Sequence, residues 1–304
     1  MAASKPETPA IAVSHGEGGG AKAVSLAGRF GGLAPAAVLF GLFFFVPFGL
    51  IVCFSFWQDV DYKVVHHWTV ENYSYFFHQP AYIRTMRATL LMAVAATGIT
   101  LGLAFPFAYW LSRYVRPGLQ KPLLVLVIVP FWTSYLLRMY SWLTILGSKG
   151  VVNTSLEKLG LINKPLSLLY DRPAVVVVLI YLYFPFAVLT LYSSIDRFDW
   201  DQLLAAMDLG AAPLRAVRKI LVPQIRPGII TAIIFVFIPI LGEYLAPQIV
   251  GGTKGIMIGN LIDNFFAGAA YARGAAVALL ITSFIVTLLV LFRKSLSSKE
   301  AYGA

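Results

Sequence analysis

Residues 196–228 read DRFDWDQLLAAMDLGAAPLRAVRKILVPQIRPG and hold nine ionisable side chains, five basic and four acidic, between two long apolar runs. Asp199 and Asp201 open a stretch of helix formers that reaches Leu209, placed where a helix N-terminus favours negative charge. Gly210 ends that helix as a left-handed cap. Pro213 restarts a helix in its first turn, the position where its missing N–H does no harm. Leu214, Val217, Ile220 and Leu221 then form an apolar stripe, Pro223 closes the second helix, and Pro227 with Gly228 open the next apolar run. The spacing predicts a helix, a tight turn and a helix lying along a membrane surface. The small side chains of Ala205 and Ala206 near the bend allow a partner protein to approach closely.

Working outward, the chain is poor in charge. Of 304 residues, 59% are hydrophobic and 12% charged, against about 45–50% and about 25% in soluble domains, which excludes an ordinary soluble enzyme. A bilayer core of ~30 Å needs about 20 apolar residues in helix. Four runs lack any ionisable residue: 30–58, 88–112, 173–195 and 274–292. Two more, 122–148 and 227–253, are interrupted once each, by Arg138 and by Glu243. The expected fold is an all-α membrane protein with six transmembrane helices. A first helix falls within 30–58, a periplasmic segment spans 59–87, and the other spans run about 88–112, 122–146, 173–195, 227–249 and 274–292, with the polar loop 196–226 between the fourth and fifth.

Basic residues set the orientation. Residues 113–121 carry Arg113, Arg116 and Lys121 with no acid, and 196–226 carry five basic residues; cytoplasmic loops collect such an excess. Both termini are therefore expected on the cytoplasmic side, with the spans in contact with lipid. Residues 1–29, rich in Ala, Gly, Ser and Pro, read as a disordered cytoplasmic tail, and 293–304 as a second cytoplasmic tail. The late start and length of the first apolar run do not fit a signal peptide. The segment GEGGGAKA at 16–23 fails as a phosphate-binding loop, because Ala21 and Ala23 stand where glycine and a hydroxyl are needed. The four histidines and single cysteine, Cys53, have no metal-ligand spacing. No nucleophile elbow is present, and the net charge of +10 belongs to membrane loops rather than to nucleic-acid binding.

The stretch AAMDLGA followed by VPQIRPGI resembles the cytoplasmic loop of the inner-membrane permeases of binding-protein-dependent ABC importers. Ala205, Ala206, Asp208, Gly210, Pro223, Pro227 and Gly228 match that motif; Leu204 stands where the family usually has Glu, and Val222 where it usually has Leu. WTVENYSYFF, LVIVPFWTSYLLRMYSWLTILGSKGVVN and GEYLAPQIVGGTKGIMIGNLIDNFF resemble the spermidine/putrescine branch of these permeases. The resemblance implies a type I ABC importer permease with its core at 88–292, moving spermidine or putrescine. It also implies a second permease subunit, a pair of ABC ATPase subunits and a periplasmic solute-binding protein as partners. The loop would then couple the permease to the ATPase through Ala205, Ala206, Asp208, Gly210 and Pro223. This chain itself would hold no cofactor, ATP and Mg residing on the ATPase, and would catalyse nothing. Iron or phosphonate as the solute, or a secondary transporter driven by an ion gradient, are the alternatives; the latter calls for inverted repeats and more buried acids than one Glu.

Ionisable residues at membrane depth are costly and mark pores or pairs. Arg138 lies 17 residues past Lys121, and Glu243 lies 17 past Arg226, so in straight helices each sits about 25 Å from the cytoplasmic side. Two readings stand: they pair or share one polar patch beside the translocation path, or they snorkel separately to the interface. A polyamine path needs carboxylates and aromatic faces, for which Glu243, Tyr244, Trp132 and Tyr135 are candidates. Interfacial anchoring is the competing role for the aromatics.

Overall fold

The structure, a computed structural model, describes residues 34–296. The expected tail at 1–29 lies outside the described residues. Of the expected tail at 293–304, residues 293–296 continue the last helix and the others lie outside. The chain divides into two compact units, one ending at Gly49 and the other beginning at Leu50. The first contains most of α1 (Ala34–Ser55). There Phe40, Phe44 and Phe48 recur every fourth residue and stack, with ring centroids 5.5 and 6.2 Å apart.

Between α1 and the next long helix the second unit forms a hairpin, β1 (Gln58–Val60) and β2 (Lys63–Val65), the only strands among the described residues. Asp61 and Tyr62 both take positive φ at its turn, the backbone that matches strand twist in a two-residue hairpin. After α2 (Glu71–His78) comes α3 (Pro80–Tyr114). It starts well before the apolar run expected at 88, because ionisable residues such as Arg84 and Arg87 limit the lipid contact of a helix, not the helix.

The third expected span is not one straight helix. It consists of α4 (Pro117–Ile128), a 3₁₀ turn at Val129–Trp132 and α5 (Tyr135–Leu146), with the two halves bent by 90° across Thr133 and Ser134. Pro130 in the turn has no N–H for the helical ladder. After α6 (Val151–Lys158), α7 (Arg172–Ile195) matches the fourth span. Its N-cap, Asp171, accepts from the Arg172 N–H at 2.8 Å.

The polar loop folds as α8 (Trp200–Asp208), then α9 (Pro213–Ala216), a π turn (Val217–Leu221) and α10 (Val222–Gln224). Asp199 caps α8 by accepting from the Asp201 N–H at 3.1 Å, and Gly210 has φ +89°. Pro223 does not close the helix as expected. The turns ahead of it widen to the π form, which suits a residue that lacks an N–H, and the helix passes over it to break at Ile225.

α11 (Arg226–Leu241) has 16 residues, fewer than the expected 227–249. The chain then breaks at Gly242 and resumes in a π turn (Pro247–Gly251), followed by α12 (Ile258–Ala267) and α13 (Tyr271–Leu296). Four helices are long and apolar enough to cross a membrane, and the count reaches six when each bent pair is taken as one span.

The core lies where α3, α7 and α11 pack together. Ala93, Ala96, Ala104 and Ala108 of α3 are fully buried, as are Val175, Val178 and Leu179 of α7; small side chains let helix backbones approach. At the far end of α3, Trp200 of α8 packs on Tyr109 with ring centroids 5.7 Å apart. The Arg113 guanidinium also sits 5.1 Å from the Trp200 ring. These contacts place the basic segment 113–121 and the polar loop on the same face of the bundle.

Candidate functional site

Two regions hold the residues singled out by the sequence. The first is the polar loop. Its inner face is fixed: Leu203, Ala216, Leu221 and Ile225 are buried in the core. Leu214, expected to share the stripe with Leu221, instead points outward at 80% exposure. Of the motif residues, Ala205, Asp208, Gly210 and Pro223 are exposed and Ala206 is half-buried against the core.

Leu209, which sequence reasoning passed over, is 90% exposed. With Leu214 it leaves apolar side chains uncovered on both sides of the left-handed Gly210. Its only sequence signal was an apolar residue between Asp208 and the capping Gly210, off the stripe. Gly228 is buried, and a Cβ there would collide with Ser194 in the last turn of α7. The motif glycine thus permits the close crossing of α7 and α11 that positions the loop.

The second region forms where the two broken spans meet. Glu243 follows the end of α11, and its Oε1 accepts from the N–H groups of Tyr244, Leu245 and Ala246 at 3.2, 3.1 and 3.4 Å. These are the unpaired donors at the start of the helical turn that runs to Gly251, where a carboxylate is favoured by both hydrogen bonding and the local dipole. The Tyr135 hydroxyl also donates to Oε1, at 2.9 Å. Oε2 accepts from the Tyr183 hydroxyl at 3.1 Å. Oε1 is therefore crowded with donors, whereas Oε2 retains acceptor capacity toward a further donor.

Arg138 lies one turn along α5 from Tyr135. Its guanidinium carbon is 4.5 Å from the Phe131 ring centroid and 5.5 Å from that of Tyr135, within cation–π range. Its Nε and Nη1 are buried without a hydrogen-bond partner. Both membrane charges thus meet at Tyr135, whose ring faces the cation and whose hydroxyl serves the carboxylate. The depth of about 25 Å expected for Arg138 assumed a straight span, and the 90° bend removes that premise. For Glu243, at the end of the unbroken α11, the premise stands.

The other candidates are placed differently. The Tyr244 carbonyl accepts from Asn260 Nδ2 at 2.7 Å, and its ring is exposed. Trp132 is 79% exposed. Tyr183 was not foreseen, because its link to Glu243 joins residues 60 apart and leaves no local pattern.

A family model described as binding-protein-dependent transport system inner membrane component matches residues 98–299. The spermidine/putrescine transport system permease protein PotB of Escherichia coli is 37% identical over 84% of this chain and 93% of its own length. The protein of the same name from Haemophilus influenzae is 33% identical over 88% of this chain and 94% of its own. Among solved structures, a chain of the bacterial alginate ABC transporter, in complex with alginate pentasaccharide-bound periplasmic protein, superposes with a TM-score of 0.68. That likeness covers 88% of this chain and 95% of the other at 17% identity, and so speaks to the fold alone.

Proposed function

Since the chain belongs to the binding-protein-dependent transport system inner membrane components, we propose that it is one permease subunit of an ATP-driven importer of spermidine and putrescine. It is a multi-pass inner-membrane protein. Membership of this family sets aside the secondary transporter driven by an ion gradient. The observation that carries the substrate class is the likeness of most of the chain to the PotB permeases. The Glu243 cluster supports it chemically: a carboxylate with spare acceptor capacity on Oε2, flanked by the rings of Tyr135 and Tyr183, suits an ammonium group.

In this reading both termini are cytoplasmic, residues 88–292 form the permease core, and a related permease subunit completes the path. The anchored loop fits a cleft on an ATPase subunit. Leu209, Ala205 and Asp208 present its contact surface, and the buried Leu203, Ala216 and Leu221 transmit displacement to α7 and α11. ATP and Mg²⁺ bind the ATPase pair. A periplasmic binding protein delivers the solute.

The test is uptake by proteoliposomes containing this chain with its partner permease and ATPase, supplied with binding protein and labelled solute. Spermidine or putrescine accumulates only with ATP. Accumulation of iron or a phosphonate in place of polyamine would overturn the substrate assignment.

A further inference from the structure

We infer that the cavity at the ends of α3 and α7 remote from the polar loop is a docking pocket for acidic side chains of the periplasmic binding protein. The cavity measures about 540 Å³ and is lined by Arg84, Asp171, Arg172 and Lys254 among others. Three cations thus face one carboxylate, and that carboxylate already caps α7 through the Arg172 N–H. Along α3, Arg84 lies roughly 40 Å from Tyr109, where the polar loop packs. The pocket therefore opens on the face away from the proposed ATPase contact, where a solute-bearing partner must land.

Its walls are held by backbone rather than by long side chains alone. The Tyr170 N–H donates to the Val250 carbonyl at 2.8 Å, and the Gly255 N–H to the Gly251 carbonyl at 2.8 Å. Arg172 Nε donates to the Lys254 carbonyl at 3.1 Å, tying the start of α7 to the segment after the last π turn. Arg84 and Lys254 remain exposed. A preformed pocket of this kind orders few groups when it binds.

Its sign decides the occupant. A polyamine is a chain of ammonium groups, so a pocket with three cations repels it and is no subsite for the solute. Carboxylates of a protein partner are complementary, and opposed surface charges chiefly govern the rate and orientation of encounter.

The inference rests on the importer reading and is tested on the complete reconstituted transporter with spermidine-loaded binding protein. Stimulation of ATP hydrolysis is titrated against binding-protein concentration for wild type, Arg84→Glu, Lys254→Glu and Lys254→Arg. Each reversal is expected to raise the half-stimulating concentration by about tenfold and to flatten its dependence on salt. Lys254→Arg should behave as wild type, with ATP hydrolysis in the absence of binding protein equal in all four. Unchanged half-stimulating concentrations in both reversals, with wild type responding, would overturn the docking pocket and leave the importer reading intact. So would a reversal effect that follows the anionic-lipid content of the vesicles with no binding protein present. A wild-type transporter indifferent to every binding protein would instead overturn the importer reading.

Discussion

The Tyr135 hydroxyl donates to Glu243 Oε1 at 2.9 Å, joining the first residue of α5 to the break that follows α11. Two interrupted spans are thereby fastened at their interruptions. Irregular backbone in a membrane-spanning segment is tolerated only where its polar groups find partners. Glu243 supplies them for the N–H groups of Tyr244, Leu245 and Ala246 after α11, while in the other break the Thr133 N–H donates to the Pro130 carbonyl.

Substitutions at this junction should separate capping from charge. Glu243→Ala strips the acceptor from three N–H groups and two hydroxyls and should cost at least ~3 kcal/mol, while Tyr135→Phe should cost about 1 kcal/mol. Glu243→Gln keeps an acceptor oxygen and should lose less stability than the alanine variant. Thermal unfolding in detergent ranks the three. If Glu243→Gln transports polyamine at the wild-type rate at equal protein level, the carboxylate serves the fold and not the path.

This junction is also where the sequence was least legible. Hydropathy registers how apolar a segment is, and the segments around Thr133 and Gly242 stay apolar through their breaks. What joins the two breaks is a hydrogen bond between residues 108 apart, which leaves no local pattern. Local signals served better where local chemistry decides: Asp199 and Asp201 at a helix start, Gly210 in the left-handed region and Pro213 in a first turn are all as the pattern predicts. Leu214 departs from its stripe because the π turn at Val217–Leu221 changes the angular register on which a 3.6-residue period depends.

At the loop tip, neighbouring residues should fail in different ways. Leu209→Ala removes an exposed side chain and should leave stability within about 0.5 kcal/mol of wild type, yet weaken coupling of ATP hydrolysis to uptake. Gly210→Ala forces a Cβ into φ +89° and should cost roughly 1–2 kcal/mol. The ratio of solute moved to ATP hydrolysed, measured beside the melting temperature, distinguishes them. A Leu209→Ala protein with an unaltered ratio would remove Leu209 from the ATPase contact.

The crossing of α7 and α11 offers a paired test. Gly228→Ala places a Cβ against the Ser194 side chain, and overpacking at a helix crossing costs about 1–3 kcal/mol. Ser194→Gly vacates that space. The double variant should recover part of the loss, giving a coupling energy above about 0.5 kcal/mol in a thermodynamic cycle. Strict additivity of the two losses would mean that the contact does not limit the approach of the helices.

The hairpin supports the last span from a distance in sequence. Asp59 Oδ1 accepts from the Ala272 N–H at 3.0 Å and Oδ2 from the Arg273 N–H at 3.1 Å, so β1 caps the first turn of α13. The Arg273 guanidinium carbon in turn lies 4.4 Å from the Tyr75 ring centroid, which holds α2 at the same corner. Without the carboxylate, two N–H groups at the start of α13 lose their partner, a cap loss of about 1 kcal/mol. Asp59→Ala should therefore lower the unfolding temperature and speed amide exchange in the first turn of α13, leaving the middle of that helix unchanged. Asp59→Asn keeps one acceptor and should fall between alanine and wild type. Exchange that stays at the wild-type rate at Ala272 and Arg273 in Asp59→Ala would show that the hairpin does not hold this helix end.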